Sequence, residues 1–528
     1  MEEKKEKRFT KREWSWIMYD WANSVYATNI MAAIFPTIFV SIAGSAGDQW
    51  WGYATSAATF IIAILAPLMG AVADYKGMKK KLFTAFMLLG VVFTGLIAAT
   101  DNWKIMLVCY MLSRIGFSGS CLFYDSFLTD VTTDEKMDKV SSWGYAMGYI
   151  GGSTIPFVIS IAMLLVFGYS SVFAQKFSIL ITSAWWLIFS VPFIRNVEQT
   201  HYIERSGAHS VSETFRNIGR TAKDIFTRRG LWLFMLAYFF YIDGVGTIIS
   251  ISTAYGTVLG LGTVGMILAL LVTQIVAVPC SIIFSRLSEK FGARRMLSAA
   301  IIVYTLICIV GFYMGFSLEP HQEAYDYAVE EEYIPSIALY APDALEGNST
   351  EAYTKAYNQY VAAAKKAFLK EDAAVQLQAL NLTTNATDDA TTALIGKFNE
   401  PLREITAAFY KNTYDEINSY RSAIRFSTIL FWCMAFLVGT VQGGIQAVSR
   451  SYFGKLVPKD RSNEFFGFFD IFGKFATVIG PVLYSLAAGW TGRSSYGVLC
   501  LILLFMVGLG VLTFGKKDLD ALTEKHAE

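Results

Sequence analysis

The sequence contains few charged side chains for its length. Of its 528 residues, 16% are Asp, Glu, Lys or Arg, whereas about 25% is usual in a soluble domain. The 44 basic and 43 acidic residues nearly cancel, which excludes the basic surplus of a nucleic-acid-binding protein. With 54% apolar residues and a mean hydropathy of +0.41, the chain cannot cover its apolar surface in water. The sequence therefore predicts an integral membrane protein.

Reactive and metal-binding residues are also scarce. The six cysteines lie in apolar stretches without CxxC spacing, and the four histidines lie in polar segments. This distribution disfavours a disulfide scaffold or a zinc site. Walker, HExxH and GxSxG patterns are missing from the sequence, and the GxGxxG match at Gly260 follows no strand. We therefore predict that the protein is not an enzyme and holds no cofactor or metal.

Long apolar runs, by contrast, are abundant. A bilayer core of about 30 Å requires roughly 20 residues of helix. Twelve stretches approach or exceed this length: 14–42, 50–73, 82–100, 103–129, 141–168, 177–194, 231–257, 262–287, 296–318, 422–449, 464–490 and 494–515. The sequence predicts an all-α integral membrane protein with twelve transmembrane helices.

Lysine and arginine positions predict how these helices are oriented. With the N-terminus inside, the inside segments carry 30 basic residues, whereas the short outside loops carry three, namely Lys104, Lys176 and Arg493. We therefore expect both termini in the cytoplasm.

Two segments interrupt the apolar pattern. Residues 195–230 form a cytoplasmic linker that is predicted to contain an amphipathic helix on the inner surface, and a solvated tether is the alternative. Its apolar residues follow helical spacing: Val211, Phe215, Ile218, Ala222 and Ile225. Residues 319–421 hold 17 acidic and 8 basic residues and fall outside. Their Ala, Glu, Lys and Gln content predicts an inserted helical extracytoplasmic domain, whose protein partner, if it has one, is unknown.

An internal repeat divides the remaining chain into two halves. Glu289 follows Asp74 by 215 residues, and each acid is followed by a glycine and paired bases. Asp243 follows Asp20 by 223 residues. We assign 1–194 to a first six-helix half, 231–318 with 422–515 to a second, and 516–528 to a cytoplasmic tail. Repeats of this kind place a substrate site at the midplane between the halves.

The pattern Gly70-x-x-x-Asp74-x-x-Gly77-x-Lys79-Lys80 resembles the best-known motif of the major facilitator superfamily. Further motifs are similar to those of the vacuolar amino-acid effluxers linked to autophagy and of their bacterial relatives. They lie at 19–24, 123–128, 144–152, 241–247, 443–451 and 464–467. The resemblance covers nearly the whole chain except 319–421. It implies a multi-pass secondary transporter, in a bacterial plasma membrane, and it does not fix a substrate.

Ionisable and polar side chains within the apolar runs are the candidates for substrate binding or ion coupling, because burying them in a bilayer is costly. They are Asp20, Asn23, Arg114, Asp243, Thr247, Gln442 and Gln446. Alternatives stay open for several of them. Asp20 could form a structural ion pair, Asp243 could serve helix packing, and the glutamines could bridge helices. Asp470 and Lys474, one turn apart, favour a structural pair.

A second group of residues is predicted to act as a conformational latch. The resemblance implies that the motif acid meets the positive end of a helix in the other half. The group comprises Asp74, Gly77, Lys79 and Lys80, their repeat counterparts Glu289 and Arg294, and the inner-end residues Asp125 and Arg450. Asp125 could equally be a surface acid.

Helix rise places Asp20 and Arg114 at similar depth, about 12 and 15 Å from the inner edge. We therefore expect the two to pair in at least one state, since an unpaired buried arginine is costly. The alternative is that Arg114 binds substrate directly.

The leading functional hypothesis is alternating-access transport of a small polar solute, coupled to protons or sodium. The resemblance alone suggests amino acids or short peptides. Two alternatives remain: a flippase or exporter of lipid-linked or amphipathic cargo, and a membrane-anchored receptor or assembly factor acting through 319–421.

Overall fold

The computed structural model describes residues 8–43, 47–168, 171–204, 211–340, 350–381 and 389–525. Within them, twelve helices are long and apolar enough to cross a membrane, which confirms the expected all-α architecture. We call them spans 1 to 12: Lys11–Ala43, Trp50–Ala73, Met78–Ile97, Trp103–Val131, Asp134–Phe167, Val172–Asn196, Arg229–Val258, Leu268–Phe291, Ala293–Tyr340, Tyr414–Leu456, Lys459–Thr491 and Ser494–Phe514.

Other helices lie between and after the spans. They are Val211–Thr227 in the linker, Thr350–Phe368, Ala373–Gln378 and Asp389–Asn412 in the insertion, and Lys516–Lys525 in the tail. Spans 1 and 5 each contain a π-helical turn, at Tyr26–Ala33 and Gly148–Thr154.

Spans 9 and 10 are longer than the sequence predicts. The α-helix of span 9 continues to Ala328, ten residues beyond the expected end at 318, and span 10 begins at Tyr414 instead of 422. The polar residues beyond each apolar run are also helical. The two helical extensions stabilise each other because they pack together. The Tyr325 and Tyr420 rings stack with their centroids 5.1 Å apart.

The bundle has two distinct ends. One end carries loop 74–77, which bridges to Ile203, and the turn at 457–461, where Lys459 pairs with Asp134 at 3.1 Å. We call it the terminus face, because spans 1 and 12 begin and end there. The other end, the insertion face, joins Lys176 to Asp101 at 2.9 Å.

The two halves pack closely near the terminus face. Small residues make this possible: a Cβ on Gly70 would lie 2.6 Å from the Asn463 carbonyl oxygen, and one on Gly467 would lie 2.9 Å from that of Ala66. Ser141 in span 5 also donates to the Ala447 carbonyl in span 10 at 2.8 Å. The outer part of span 1, Ile34–Ala43, instead contacts helices of its own half.

The linker helix lies against the terminus face. Thr221 and Ile225 are buried, and Asp224 pairs with Arg461 at 2.8 Å. The side chain of Phe215, part of the expected apolar face, lies outside the described residues.

Candidate functional site

The guanidinium of Arg450 lies between the halves and is the centre of a buried ion network. It comes from span 10 of the second half, and its side chain is 4% exposed. It contacts two carboxylates of the first half, Asp125 at 2.9 Å and Asp20 at 3.4 Å. It also donates to the Ser141 hydroxyl and carbonyl oxygens, each at 3.0 Å. Spans 1, 4 and 5 are thus joined to span 10 by one side chain.

Aromatic rings enclose the same guanidinium. Its carbon lies 4.7 Å from the Trp16 ring centroid, 4.6 Å from that of Tyr145 and 5.3 Å from that of Tyr124. Cation–π contacts of this kind stabilise a desolvated cation. The Tyr124 hydroxyl also donates to Asp20 at 2.8 Å.

A polar cavity adjoins this network, with about 460 Å³ of empty space. Span 4 contributes Leu122 and Asp125, while spans 7 and 11 contribute the remainder, so the cavity lies between the halves. Asp470 and Lys474 line it and form an ion pair one helical turn apart. The pair is therefore placed in the cavity wall and is not confined to a packing interface.

Asp74 forms a second bridge between the halves at the terminus face. Its carboxylate accepts the backbone N–H and side-chain amide of Asn463, at 3.0 and 2.8 Å, and the backbone N–H of Glu464 at 3.0 Å. These donors open the helix of span 11, where the helix dipole favours negative charge. Burial raises the pKa of Asp74 to about 7, although Lys79 and the Asn463 donors oppose the rise.

Lys79 extends this bridge. Its ammonium pairs with Asp130 at 2.6 Å, where both side chains are fully buried, and donates to Ser462 at 3.1 Å. Lys80 is half-buried and does not share this position. Gly77 adopts a left-handed conformation with φ +72° where span 3 begins, which is the conformation that glycine tolerates best.

The second copy of the motif differs from the first. Glu289 is exposed, and Arg294 pairs with Asp520 of the C-terminal tail at 3.2 Å, within its own half. In this conformation Arg294 therefore binds within its own half, and a latch role for Glu289 and Arg294 stays a prediction. Instead, Asp138 of span 5 accepts Ser288 at 2.8 Å and Lys455 at 2.7 Å. The two halves are therefore also joined at this position, but the acid that joins them is Asp138 of the first half.

Arg114 does not meet Asp20 in this conformation, because Asp20 binds Arg450 instead. The Arg114 guanidinium donates to the Tyr110 hydroxyl at 3.0 Å and to Thr59 at 3.4 Å. Within the part of the chain that the structure describes, it has no carboxylate within ion-pair distance. A half-buried guanidinium with neutral partners is suited to an anionic ligand.

Asp243 is fully buried within the second half. Both of its carboxylate oxygens accept the backbone N–H of Gly480 in span 11, at 3.0 and 2.8 Å, and Thr247 donates at 3.4 Å. A Cβ on Gly480 would overlap Thr247 Oγ1. This geometry favours helix packing for Asp243 and Thr247, the alternative that the sequence left open.

The polar amides occupy separate positions. Asn23 donates to the Cys121 sulfur at 3.7 Å, inside the first half. Gln442 lines a mainly apolar cavity in the second half, with about 820 Å³ of empty space, which Gln274 also lines. Gln446 is half-buried one turn further along span 10.

Comparison with known proteins identifies relatives of the whole chain. A family model described as "Vacuole effluxer Atg22 like" matches residues 51–136, 129–329 and 427–518. The chain is 37% identical over 521 residues to the uncharacterized MFS-type transporter YxiO of Bacillus subtilis (strain 168), covering 96% of this chain and 95% of that protein. A shorter stretch of 96 residues is 32% identical to autophagy-related protein 22 of Saccharomyces cerevisiae (strain YJM789), covering 17% of this chain and 18% of that protein.

The fold is also shared with solved transporter structures. The major facilitator superfamily transporter FucP, crystallised in the outward conformation, matches with a TM-score of 0.56 at 12% identity, over 96% of this chain and 98% of that chain. At this identity the likeness concerns the fold alone.

Proposed function

Because this chain belongs to the Atg22-like vacuole effluxer family of major facilitator transporters, we propose that it moves a small polar solute by alternating access as a secondary active transporter. The observation that carries the proposal is the buried network around Arg450. It joins the halves through side chains that can separate without unfolding either half. A static anchor would favour apolar packing there, since buried ion pairs are costly to form.

The terminus face is closed in this conformation. Asp74 and Arg450 bind across the halves on that side, whereas the outer part of span 1 contacts its own half. With the terminus face cytoplasmic, as the basic residues favour, this arrangement corresponds to the state that opens outward. The inward-open state then requires these bonds to break.

Arg114 supports an anionic group on the solute. Its partners Tyr110 and Thr59 carry no charge, so a carboxylate of the solute would supply the missing countercharge. Amino acids and short peptides satisfy this chemistry and agree with the family, so they are the first solutes to test. Protons or sodium are the coupling ions of the proposal.

Counterflow into proteoliposomes tests the function directly. Vesicles preloaded with one unlabelled amino acid or peptide at a time should accumulate the labelled form transiently, with proton and sodium gradients varied separately.

Arg114→Gln should lose more than about tenfold in apparent affinity for an anionic solute, about 1.4 kcal/mol, and Arg114→Lys should lose less. Lys104→Gln, at the exposed start of span 4, is the matched control. Equal affinities for the Arg114 and Lys104 variants would contradict the assignment of Arg114.

The apolar cavity beside Gln442 favours a second candidate, amphipathic cargo. Its lining includes Ile248, Phe431 and Leu501, with the two glutamine amides as polar groups. A fluorescent lipid that crosses the bilayer of protein-containing vesicles faster than that of empty vesicles would support this candidate. No acceleration, together with counterflow of a soluble solute, would exclude it.

A further inference from the structure

The charged side chains around the polar cavity do not balance. Asp20, Asp125 and Asp470 contribute three carboxylates, whereas Arg450 and Lys474 contribute two cations. A net charge inside the membrane is costly, and a carboxylate relieves that cost by taking up a proton. We infer that this cluster binds one coupling proton and that Asp125 carries it, an inference that rests on the proposed transport function.

Asp125 is the member of the cluster best placed to exchange a proton with the cavity. Its side chain is 33% exposed, compared with 12% for Asp20 and 24% for Asp470. Asp20 receives the Tyr124 hydroxyl in addition to Arg450, and both bonds stabilise its ionised form. Asp470 has a lysine on its own helix, one turn away. Among the described residues, Arg450 is the donor to Asp125, at 2.9 Å.

Other titratable groups face Asp125 from every helix packed around it. They are Cys121 and Tyr124 of its own span, Asp20 of span 1, Tyr145 of span 5, Tyr238 of span 7, Arg450 of span 10, and Asp470 and Lys474 of span 11. Cysteine and tyrosine are neutral near pH 7. The charge balance therefore depends on the three carboxylates and two cations alone.

A proton on Asp125 would weaken the closed terminus face. Asp125 belongs to the first half and Arg450 to the second, and their ion pair joins the two. Protonation removes the charge of the carboxylate and with it the attraction to the guanidinium. Proton binding therefore favours separation of the halves on this side, which links the proton to the change of access.

Substitutions that alter the charge balance test this inference. The measurement is proton uptake by the purified full-length protein in detergent, titrated between about pH 5 and 8, where unperturbed aspartates are already ionised. Asp125→Asn and Asp470→Asn each leave two carboxylates and two cations in the cluster. In the second variant, Lys474 loses its own partner and becomes available to Asp125. Each should take up one proton fewer per molecule than the wild type.

The double variant Asp470→Asn with Lys474→Gln is the decisive control. It leaves Asp20 and Asp125 with Arg450, so one surplus carboxylate returns and uptake should equal that of the wild type. If the double variant titrates like Asp470→Asn alone, charge balance does not control protonation and the inference is wrong. Wild-type uptake by Asp125→Asn would also overturn it.

The titration requires no solute, so its result is independent of the transport assay. A missing difference in uptake would remove Asp125 as the proton carrier while counterflow could still proceed. Absent counterflow, with the expected pattern of uptake, would instead contradict the transport proposal and leave the proton site standing.

Discussion

A buried guanidinium needs several acceptors at once, and Arg450 finds them on three helices of the opposite half. Helix rise predicts a depth for Asp20, which lies buried in span 1, but depth alone does not identify a partner. Depth pointed to Arg114, whereas Arg450 follows the predicted end of the tenth apolar run at 449. The choice of partner depends on which helix faces which. That information resides in the packing of the halves and not in the spacing along one chain.

Gly480 is the residue at which we expect the sharpest effect on stability. Its alanine variant would place a methyl group against Thr247 and 2.9 Å from an Asp243 oxygen, where it would disturb the bonds from the backbone to the carboxylate. Overpacking of this kind costs about 1–3 kcal/mol. The melting temperature of the purified protein should fall clearly.

Gly489 of the same helix provides the matched control for this measurement, because nothing lies within 4 Å of its added Cβ. Gly489→Ala should leave the melting temperature close to that of the wild type. Similar changes for the two variants would show that the carboxylate and the helix backbone of span 11 are not tightly packed.

At the scale of helices, the halves are joined by helix ends and not by long apolar seams alone. Asp74, which directly follows span 2, accepts from donors in the first turn of span 11, and Asp138 meets the ends of spans 8 and 10. The two bridges are related by the repeat in position but not in residue type. In both bridges the acid belongs to the first half, and its donors lie at helix ends of the second half, from which it can detach.

Lys79 should control how tightly the terminus face closes. Lys79→Met removes a buried ammonium that pairs with Asp130 inside the first half and donates to Ser462 of the second half. The bond across the halves is then lost, and buried Asp130 keeps its contacts with Thr200 and His201 but not its lysine. Breaking a buried pair in this way costs about 3–5 kcal/mol. Spin labels at the exposed positions 135 and 290, in opposite halves, should report a longer and broader distance distribution.

Lys81, two residues further along the same helix, is exposed and supplies the control. Lys81→Met should preserve the wild-type distance distribution between labels 135 and 290. A distribution for Lys79→Met that matches this control would show that the buried ammonium, through its bond to Ser462, does not hold the halves together.

The resemblance to major facilitator transporters implied one of these contacts, namely that the motif acid meets the positive end of a helix in the other half. Asp74 accepts from the first turn of span 11. The repeat counterpart Glu289 could not be assigned in the same way, because exposure depends on neighbouring helices. Apolar periodicity also predicted spans 9 and 10, but it missed their extensions, whose stacked Tyr325 and Tyr420 rings are tertiary contacts.

For the molecule as a whole, the insertion is attached to the second half. Glu319 accepts the Ser495 backbone N–H at 2.8 Å, and Glu323 binds Arg493 through two bonds of 2.8 Å. Gln322 donates to the Val258 carbonyl at 2.9 Å. These contacts tie the insertion to the loops between spans 7 and 8 and between spans 11 and 12. We therefore expect the insertion to move rigidly with the second half.

The insertion is expected to face the outside of the cell. The basic residues favour a cytoplasmic terminus face, and spans 9 and 10 carry the insertion to the other end. A single cysteine replacing Leu339, whose side chain is 76% exposed, should react with an impermeant thiol reagent in intact cells. One at the exposed Glu135 should react after lysis. The reverse pattern would overturn the orientation.

The insertion is also expected to be dispensable for the transport cycle. Replacing 329–413 by a short Gly/Ser linker keeps Glu319 and Glu323. Their bonds to Ser495 and Arg493, which cap the start of span 12, therefore remain. The stacked rings of Tyr325 and Tyr420 show that the two helix ends lie side by side, so a short linker can join them. Because these contacts belong to the second half alone, the halves should still move against each other and counterflow should persist.

Glu319→Gln in the full chain is the contrasting variant, since it weakens the cap and should lower the melting temperature. A deletion variant that folds and reaches the membrane but exchanges no solute would show that the insertion takes part in the cycle itself.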